Sequence, residues 1–429
     1  MQILIKGGRV VDPGHLDEPK DILIKDGKII AIQDPSASLP SDFESSDFET
    51  LDATNMVVSP GFIDIHVHLR EPGHEYKETI ESGLKAAAKG GFVGVCSMPN
   101  TSPINDNAQV THFIMEKGRA AKAARVYPAG AISKGSDGET LAEIYDMQKA
   151  GIRAVTDDGW PVENPQLMRR ALEYCKGLGL PVFVHAEDTS LVNGGAMNEG
   201  IHATQMGIKG IPNAAEAAMV TRDILLAELT EAPVHFCHIS TAESIEAIRQ
   251  AKKRGVGVTC ETAPHYFTLT DADIPPYDTH YKMNPPLRSE TDRQAVIQGL
   301  KDGTIDIIAT DHAPHGVDEK DVEFDKAAFG IIGLETAFPL SLALVDKGEL
   351  SLDALIEKMS INPARMMGLE PGIAVGGIAD ITILDLHSNW VVDPDTLVSK
   401  SKNTPFAGKE LTGEIYATLV EGQIVHLRE

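Results

Sequence analysis

The residues best able to do chemistry here are histidines and aspartates that interrupt short apolar runs at one end. His66 and His68 close the run 62–67, Asp157 and Asp158 follow 152–156, and Asp311 follows 305–310. His185 ends 182–185, and His238 ends 234–238. Residues two apart on an extended strand point the same way, so His66 and His68 face one space together. Imidazoles and carboxylates converging on such a space suit Zn²⁺. A lone histidine at a strand end is more often structural, and an isolated His-x-His is more often not a ligand pair. The expectation of a metal site rests on the recurrence, since histidine or aspartate marks the same end of five strands. His15, His112, His202, His280, His387 and His426 are expected at the surface. His235 falls on the wrong strand face for the site, and Cys237 is expected to point away from His238 into the core.

Eight apolar runs could position these groups: 62–67, 93–97, 125–129, 152–156, 182–185, 234–238, 256–261 and 305–310. Amphipathic helical stretches such as 78–89, 108–122, 165–176, 214–229 and 242–253 separate them. Strand then helix, repeated eight times, is the pattern of an α/β (β/α)8 barrel, whose C-terminal strand ends form one face and carry the site. An open doubly wound sheet is the rival, but no Gly-x-Gly-x-x-Gly follows the first strand. Both ends of the chain are strand-rich: 3–5, 22–24 and 28–32, then 381–384, 415–420 and 424–425. The expected organisation is a barrel at 59–367 with a small composite β-sandwich domain built from 1–58 and 368–429. The polar stretch 34–50 is expected to be an exposed loop.

Composition narrows the function class. The formal net charge is −25, which repels phosphate backbones and anionic membranes, so neither nucleic acid nor a membrane is an expected partner. An anionic substrate would therefore need positive charge supplied within the site. The four cysteines (Cys96, Cys175, Cys237 and Cys260) form no Cys-x-x-Cys pair and are expected to be buried thiols. With no basic-then-apolar leader and no apolar run of bilayer length, the expected location is the cytoplasm.

Longer motifs carry a resemblance. Asp64-Ile65-His66-Val67-His68-Leu69-Arg70-Glu71-Pro72 resembles the first signature of the dihydroorotases. Ala309-Thr310-Asp311-His312-Ala313-Pro314-His315, with Lys320 five residues on, resembles the second. Met98-Pro99-Asn100-Thr101, His185-Ala186-Glu187-Asp188 and Met283-Asn284-Pro285-Pro286-Leu287-Arg288 are also similar to that family. Ser59–Asp64 and Gly376–Ile381 resemble motifs of the wider amidohydrolase superfamily, and the likeness runs over essentially the whole chain.

That resemblance implies a dihydroorotase of pyrimidine (UMP) biosynthesis, cyclising N-carbamoyl-L-aspartate reversibly to L-dihydroorotate with a zinc-bound hydroxide as the hydrolytic nucleophile. It implies that His66 and His68 bind one Zn²⁺, that His185 and His238 bind a second, and that Asp311 binds the first and acts as general acid and base. One ion per subunit is the alternative to two. One branch of the family, like the hydantoinases, bridges the metals with a carboxylated lysine. Here 151–159 holds no lysine, which is similar to the bacterial branch with a bridging aspartate. Spacing to His185 favours Asp158, with Asp157 as the fallback. Arg70, Asn100 and His315 match the family's substrate-carboxylate contacts, with His68 beside them. Asn284 and the backbone of Phe329-Gly330 match its contacts to the ring amides. A homodimer and an association with aspartate transcarbamoylase also follow from the resemblance. The rivals are another cyclic amidase (hydantoinase, dihydropyrimidinase or allantoinase) and a non-catalytic partner of aspartate transcarbamoylase. The missing lysine and the presence of Arg70 argue against the first, and the complete ligand set argues against the second.

Overall fold

A computed structural model describes residues 2–40, 43 and 48–428. Its centre is a parallel barrel of eight strands: β1 (Phe62–Val67), β2 (Phe92–Ser97), β3 (Arg125–Gly130), β4 (Ala154–Val155), β5 (Val182–Val184), β6 (Val234–Phe236), β7 (Val258–Thr262) and β8 (Ile307–Ile308). Each strand pairs with the next in chain order. The seam between β8 and β1 is closed by other bonds. Val67 bridges His312, the His68 amide donates to the His312 carbonyl at 2.9 Å, and Asp64 accepts from the amide and hydroxyl of Thr310. Burial pushes the Asp64 carboxyl up to about 7. This seam therefore relies on a carboxyl group that its hydrogen bonds must hold in place.

Between strands lie the expected helices, Ile80–Lys89, Ala108–Ala121, Pro165–Leu178, Ala214–Thr230 and Ala242–Lys253. Four of the five starts are set by side-chain caps: Thr79, Asn107, Asn164 and Thr241 each accept from a first-turn amide. Their apolar faces pack on the outward side of the strands in one core that includes Phe62, Val95, Val126, Val184 and Phe236. A second cluster, with Ile63, Ile65, Ala129, Ala154, Phe183 and Ile307, fills the barrel. Ala364, Met367 and Val420 join this cluster, so the composite sheet and the last helix plug one end and leave the strand C-termini as the open end.

The two ends of the chain meet in one sheet. Gln2–Asp12 pairs with Leu16–Lys25, which pairs with Lys28–Gln33. On its other side Gln2–Asp12 lies parallel to Val57–Pro60, which is antiparallel to Ile381–Val391, followed by Glu410–Val420 and Gln423–Leu427. Ile5, Val10, Ile24, Val58, Ile381 and Leu419 form its apolar core. The stretch 34–50 departs from the loop expectation. Residues 41–42 and 44–47 lie outside the described residues, but Phe43 is buried and Glu49–Asp52 runs parallel to Ile3–Lys6. Among the described residues, no helix is long and apolar enough to cross a membrane, and all four cysteines are free and buried.

Ile381 has no exposed surface and pairs with both Pro60 and Leu419, where the two chain ends join. Ile381→Ala is expected to cost about 2–5 kcal/mol, as large-to-small core changes do. Chemical denaturation would read that loss, with bound metal unchanged because the barrel mouth is untouched.

Candidate active site

The C-terminal strand ends and the loops that leave them bring four imidazoles around one carboxylate. Asp158 Oδ1 lies 3.3 Å from His66 Nε2, 3.6 Å from His185 Nδ1 and 3.4 Å from His238 Nε2. Its other oxygen lies 3.4 Å from His68 Nε2. Asp311 Oδ1 is 3.1 Å from His68 Nε2 and 3.5 Å from His66 Nε2. Asp157 points elsewhere, accepting from the Ile132 and Ser133 amides and the Ser133 hydroxyl, which ties down the loop after β3.

All six groups are buried, and their electrostatics are those of a site built for cations. Burial opposes ionisation of Asp158, but His66, His185 and His238 outweigh it and hold the carboxyl well below its usual range. Burial likewise opposes charge on His185, yet Asp158 and Glu187 raise it to about 10. Two atoms at the centre, His66 Nε2 and Asp158 Oδ1, are buried and close together but lack hydrogen-bond geometry to any partner. Orphaned buried polar atoms are rare. Here they belong to overlapping His-Asp triads, His66-His68-Asp158 and Asp158-His185-His238, whose ligand atoms lie close enough together to hold an ion. The residues present therefore fit a divalent metal.

The backbone is bent to make this arrangement. Arg70, His238 and Asp311 have φ of 64°, 36° and 47°. Left-handed backbone in non-glycine residues costs of order 1–3 kcal/mol each, and it persists where the surroundings demand it.

Further partners fix the imidazoles. His66 Nδ1 lies 2.6 Å from Glu261 Oε1, so the ring donates there and presents its Nε2 to Asp158. His68 Nδ1 is held in the same way by Asn100 Oδ1 at 3.0 Å. Glu261 also accepts from His235 Nε2 at 3.2 Å, and His235 Nδ1 meets Thr259 Oγ1 at 2.8 Å. His235 is thus not idle on the wrong face. It is buried and supports the carboxylate that orients His66. Cys237 is buried as expected, yet it lies in the same cluster as His66 and Glu261. The alternation of Thr259 and Glu261 within an otherwise apolar strand is the signal that could have exposed this chain of contacts.

The remaining candidate residues surround the mouth. Arg70 is buried, its Nε donates to the Pro314 carbonyl at 3.1 Å, and burial lowers it only to about 10, so it stays charged. Among the described residues, no carboxylate forms an ion pair with it. His315 Nε2 donates to the Phe329 carbonyl at 2.8 Å, beside an Arg70 terminal nitrogen at 3.3 Å. Gly330 must be glycine, because a Cβ there would meet the Ala313 carbonyl at 2.5 Å and the His315 ring at 2.7 Å. Asn284 Nδ2 donates to Glu187 at 3.1 Å, which leaves its buried Oδ1 without a partner. Of the histidines expected at the surface, His15, His112, His280 and His387 are exposed, while His202 and His426 are half-buried.

A dihydroorotase from Desulforapulum autotrophicum is 62% identical over 429 residues, covering all of both chains. The chain belongs to the dihydroorotase family. A dihydroorotase from Geobacter metallireducens is 54% identical, again over both full lengths. The Dihydro-orotase-like family model matches residues 55–244. Among solved structures, an L-hydantoinase (dihydropyrimidinase) from Arthrobacter aurescens superposes with a TM-score of 0.86 at 27% identity, covering 99% of this chain and 96% of its own. A dihydropyrimidinase from Brevibacillus agri superposes at 0.82 with 25% identity, covering 100% and 95%. The family places the chain among metal-dependent cyclic-amide hydrolases on a barrel with an appended β-sandwich.

Two mouth histidines give a pH prediction. Burial lowers His265 to about 4, and burial with Arg70 and Lys77 lowers His315 to about 3. Both stay neutral in the folded chain, whereas the unfolded chain protonates them below about 6.5. The unfolded state then binds more protons, so these groups cost stability as pH falls from about 6.5 towards 4. His265→Gln is expected to flatten that part of the stability-pH profile in urea melts. An unchanged slope would assign the acid sensitivity elsewhere.

Proposed function

We propose that this chain interconverts N-carbamoyl-L-aspartate and L-dihydroorotate, using six ligands (His66, His68, Asp158, His185, His238 and Asp311) for two Zn²⁺ ions per subunit. The observation that carries the choice of substrate is Arg70, a buried permanent cation with no carboxylate paired to it among the described residues, at the mouth of the His-Asp cluster. A buried charge without a counter-charge is costly, so a ligand that brings its own carboxylate is the natural complement. Dihydroorotate brings one. Hydantoin and dihydrouracil do not, although solved structures bearing those enzyme names share the fold.

Metal bound by this set supplies an acidified water and polarises the carbonyl under attack. Asp311 supplies proton transfer. Burial opposes its ionisation, but His66 and His68 hold it below its usual range, so it is a carboxylate able to accept the water's proton. It returns that proton to the ring nitrogen as the amide bond breaks. In the cyclising direction the ureido nitrogen attacks the side-chain carboxyl carbon and loses its proton to Asp311, which passes it to the departing oxygen; with one further proton taken up from solvent, that oxygen leaves as water. Glu261 and Asn100 keep the His66 and His68 rings in one tautomer throughout. Arg70 holds the carboxylate common to substrate and product, with His315 and Asn100 beside it. Asn284 Oδ1, buried and without a partner among the described residues, would accept from a ring N–H, and the Phe329-Gly330 backbone is the family's matching contact for the other amide. Four free, buried cysteines accord with a reducing cytoplasm.

Dihydroorotate, hydantoin, dihydrouracil and allantoin offered to the zinc-loaded protein separate the readings. Turnover of dihydroorotate alone is expected, and its absence would overturn the proposal. Arg70→Ala is expected to raise KM for dihydroorotate about ten- to a hundredfold, since a hydrogen bond to a charged group is worth about 1.5–3 kcal/mol. Asp311→Asn is expected to lose turnover by about 10²–10⁴-fold while keeping most bound metal, the range that general acid–base catalysis commands. Parallel loss of metal and activity would contradict the proton-transfer role.

A further inference from the structure

Lys320 closes the second sequence motif, yet the chemistry above makes no use of it. Its side chain is buried, at 3% exposed. Burial and the nearby Lys282 lower it to about 7, but its surroundings are those of an ammonium, since three backbone carbonyls are placed to take its three protons: Thr279 at 3.0 Å, Lys282 at 3.2 Å and Ala328 at 2.7 Å. No donor is left for a ligand, so Lys320 is not itself a binding residue.

Those three carbonyls belong to two separate segments. Thr279 and Lys282 lead into Asn284, while Ala328 precedes Phe329-Gly330. The Lys282 carbonyl accepts a second bond, from the Gly330 amide at 2.9 Å. The Thr279 hydroxyl returns a bond to the Lys320 carbonyl, and the Ala328 amide donates to the Glu319 carbonyl at 3.0 Å. Lys282 strengthens the same junction. Its ammonium donates to the Asp325 carbonyl at 3.0 Å and sits 4.3 Å from the centre of the Phe329 ring. Asn403 clamps the far side, donating to the Ala313 and Gly330 carbonyls at 2.9 and 3.0 Å and accepting from the His315 amide at 3.1 Å.

We propose that Lys320 is a positioning residue that sets the separation between the Asn284 segment and the Phe329-Gly330 segment, and through it the affinity for the cyclic amide. The inference rests on the substrate reading above. A buried ammonium is expensive, and no apolar side chain could replace its three divergent donors. A carbonyl clamp of this kind pre-orders two backbone segments before substrate arrives, which saves ordering cost on binding. Five of the six proposed metal ligands stand on other strand ends, and Asp311, on the segment after β8, precedes Lys320 by nine residues and makes no contact with the clamp carbonyls, so the clamp acts on substrate hold rather than on the metal.

Steady-state kinetics of Lys320→Met with dihydroorotate, together with its bound metal, test this. KM is expected to rise about tenfold or more with kcat within about twofold and metal content unchanged, the pattern of lost ground-state binding. If Lys320→Met does not fold, Thr279→Val, which removes only the hydroxyl bond to Lys320, decides by the same split with a rise of about threefold. Unchanged KM, or a fall in kcat and metal together, overturns the positioning role. Failure of the unsubstituted protein to turn over dihydroorotate overturns the substrate reading and this inference with it. Turnover with unchanged KM in the variant overturns this inference alone.

Discussion

Everything at the barrel mouth depends on one buried carboxylate among four imidazoles. Asp158 cannot be hydrated there, and its oxygens face His66, His68, His185 and His238 at 3.3–3.6 Å. Such a group survives burial only if positive charge stays beside it. Protons on the imidazoles can supply that charge, and so can divalent metal, for which the ligand types and the orphaned His66 and Asp158 atoms are suited. The strained backbone at His238 and Asp311 brings side chains from separate strand ends close enough to share the charge.

A second set of contacts extends outward from that centre. Glu261 is wholly buried between His66 and His235, and the two rings hold it at about 2, against the burial that would raise it. The barrel interior thus contains a line of polar groups, Thr259, His235, Glu261 and His66, beside an otherwise apolar filling. Its effect is to leave His66 one ring orientation. On the opposite side Arg70 contributes a cation with no paired carboxylate among the described residues. In a chain of net charge −25, buried positive charge is thus concentrated locally at this mouth, as the proposed anionic substrate requires.

Much of this was legible in the sequence, for particular reasons. Polar residues ending apolar runs mark strand ends, so His66, His68, His185, His238 and Asp311 stood out before any fold was known. Strand positions were right, and 62–67 matched to the residue, but two strands were much shorter than expected. The runs 152–156 and 305–310 contain only two-residue ladders, Ala154–Val155 and Ile307–Ile308. Backbone groups beside these ladders bond to side chains instead, as Asp306 does with Asn362 and Thr310 does with Asp64. Glu49–Asp52 was missed because only Leu51 in it is buried, so it carries no apolar pattern. Glu261 and His235 were missed because their pairing depends on which residues of adjacent strands lie side by side. Lys320 was visible as a motif residue, but its role depends on three backbone carbonyls, which no side-chain pattern encodes.

The central claim is that the Asp158 carboxylate joins two metal positions, one shared with His66 and His68 and the other with His185 and His238. Anomalous diffraction at the zinc edge from crystals of the zinc-loaded protein tests it most directly. The account predicts two peaks, each within coordination distance of a different Asp158 oxygen or of one shared oxygen. A single peak with Asp158 turned away from it, or a bridge formed by any other residue, would contradict it.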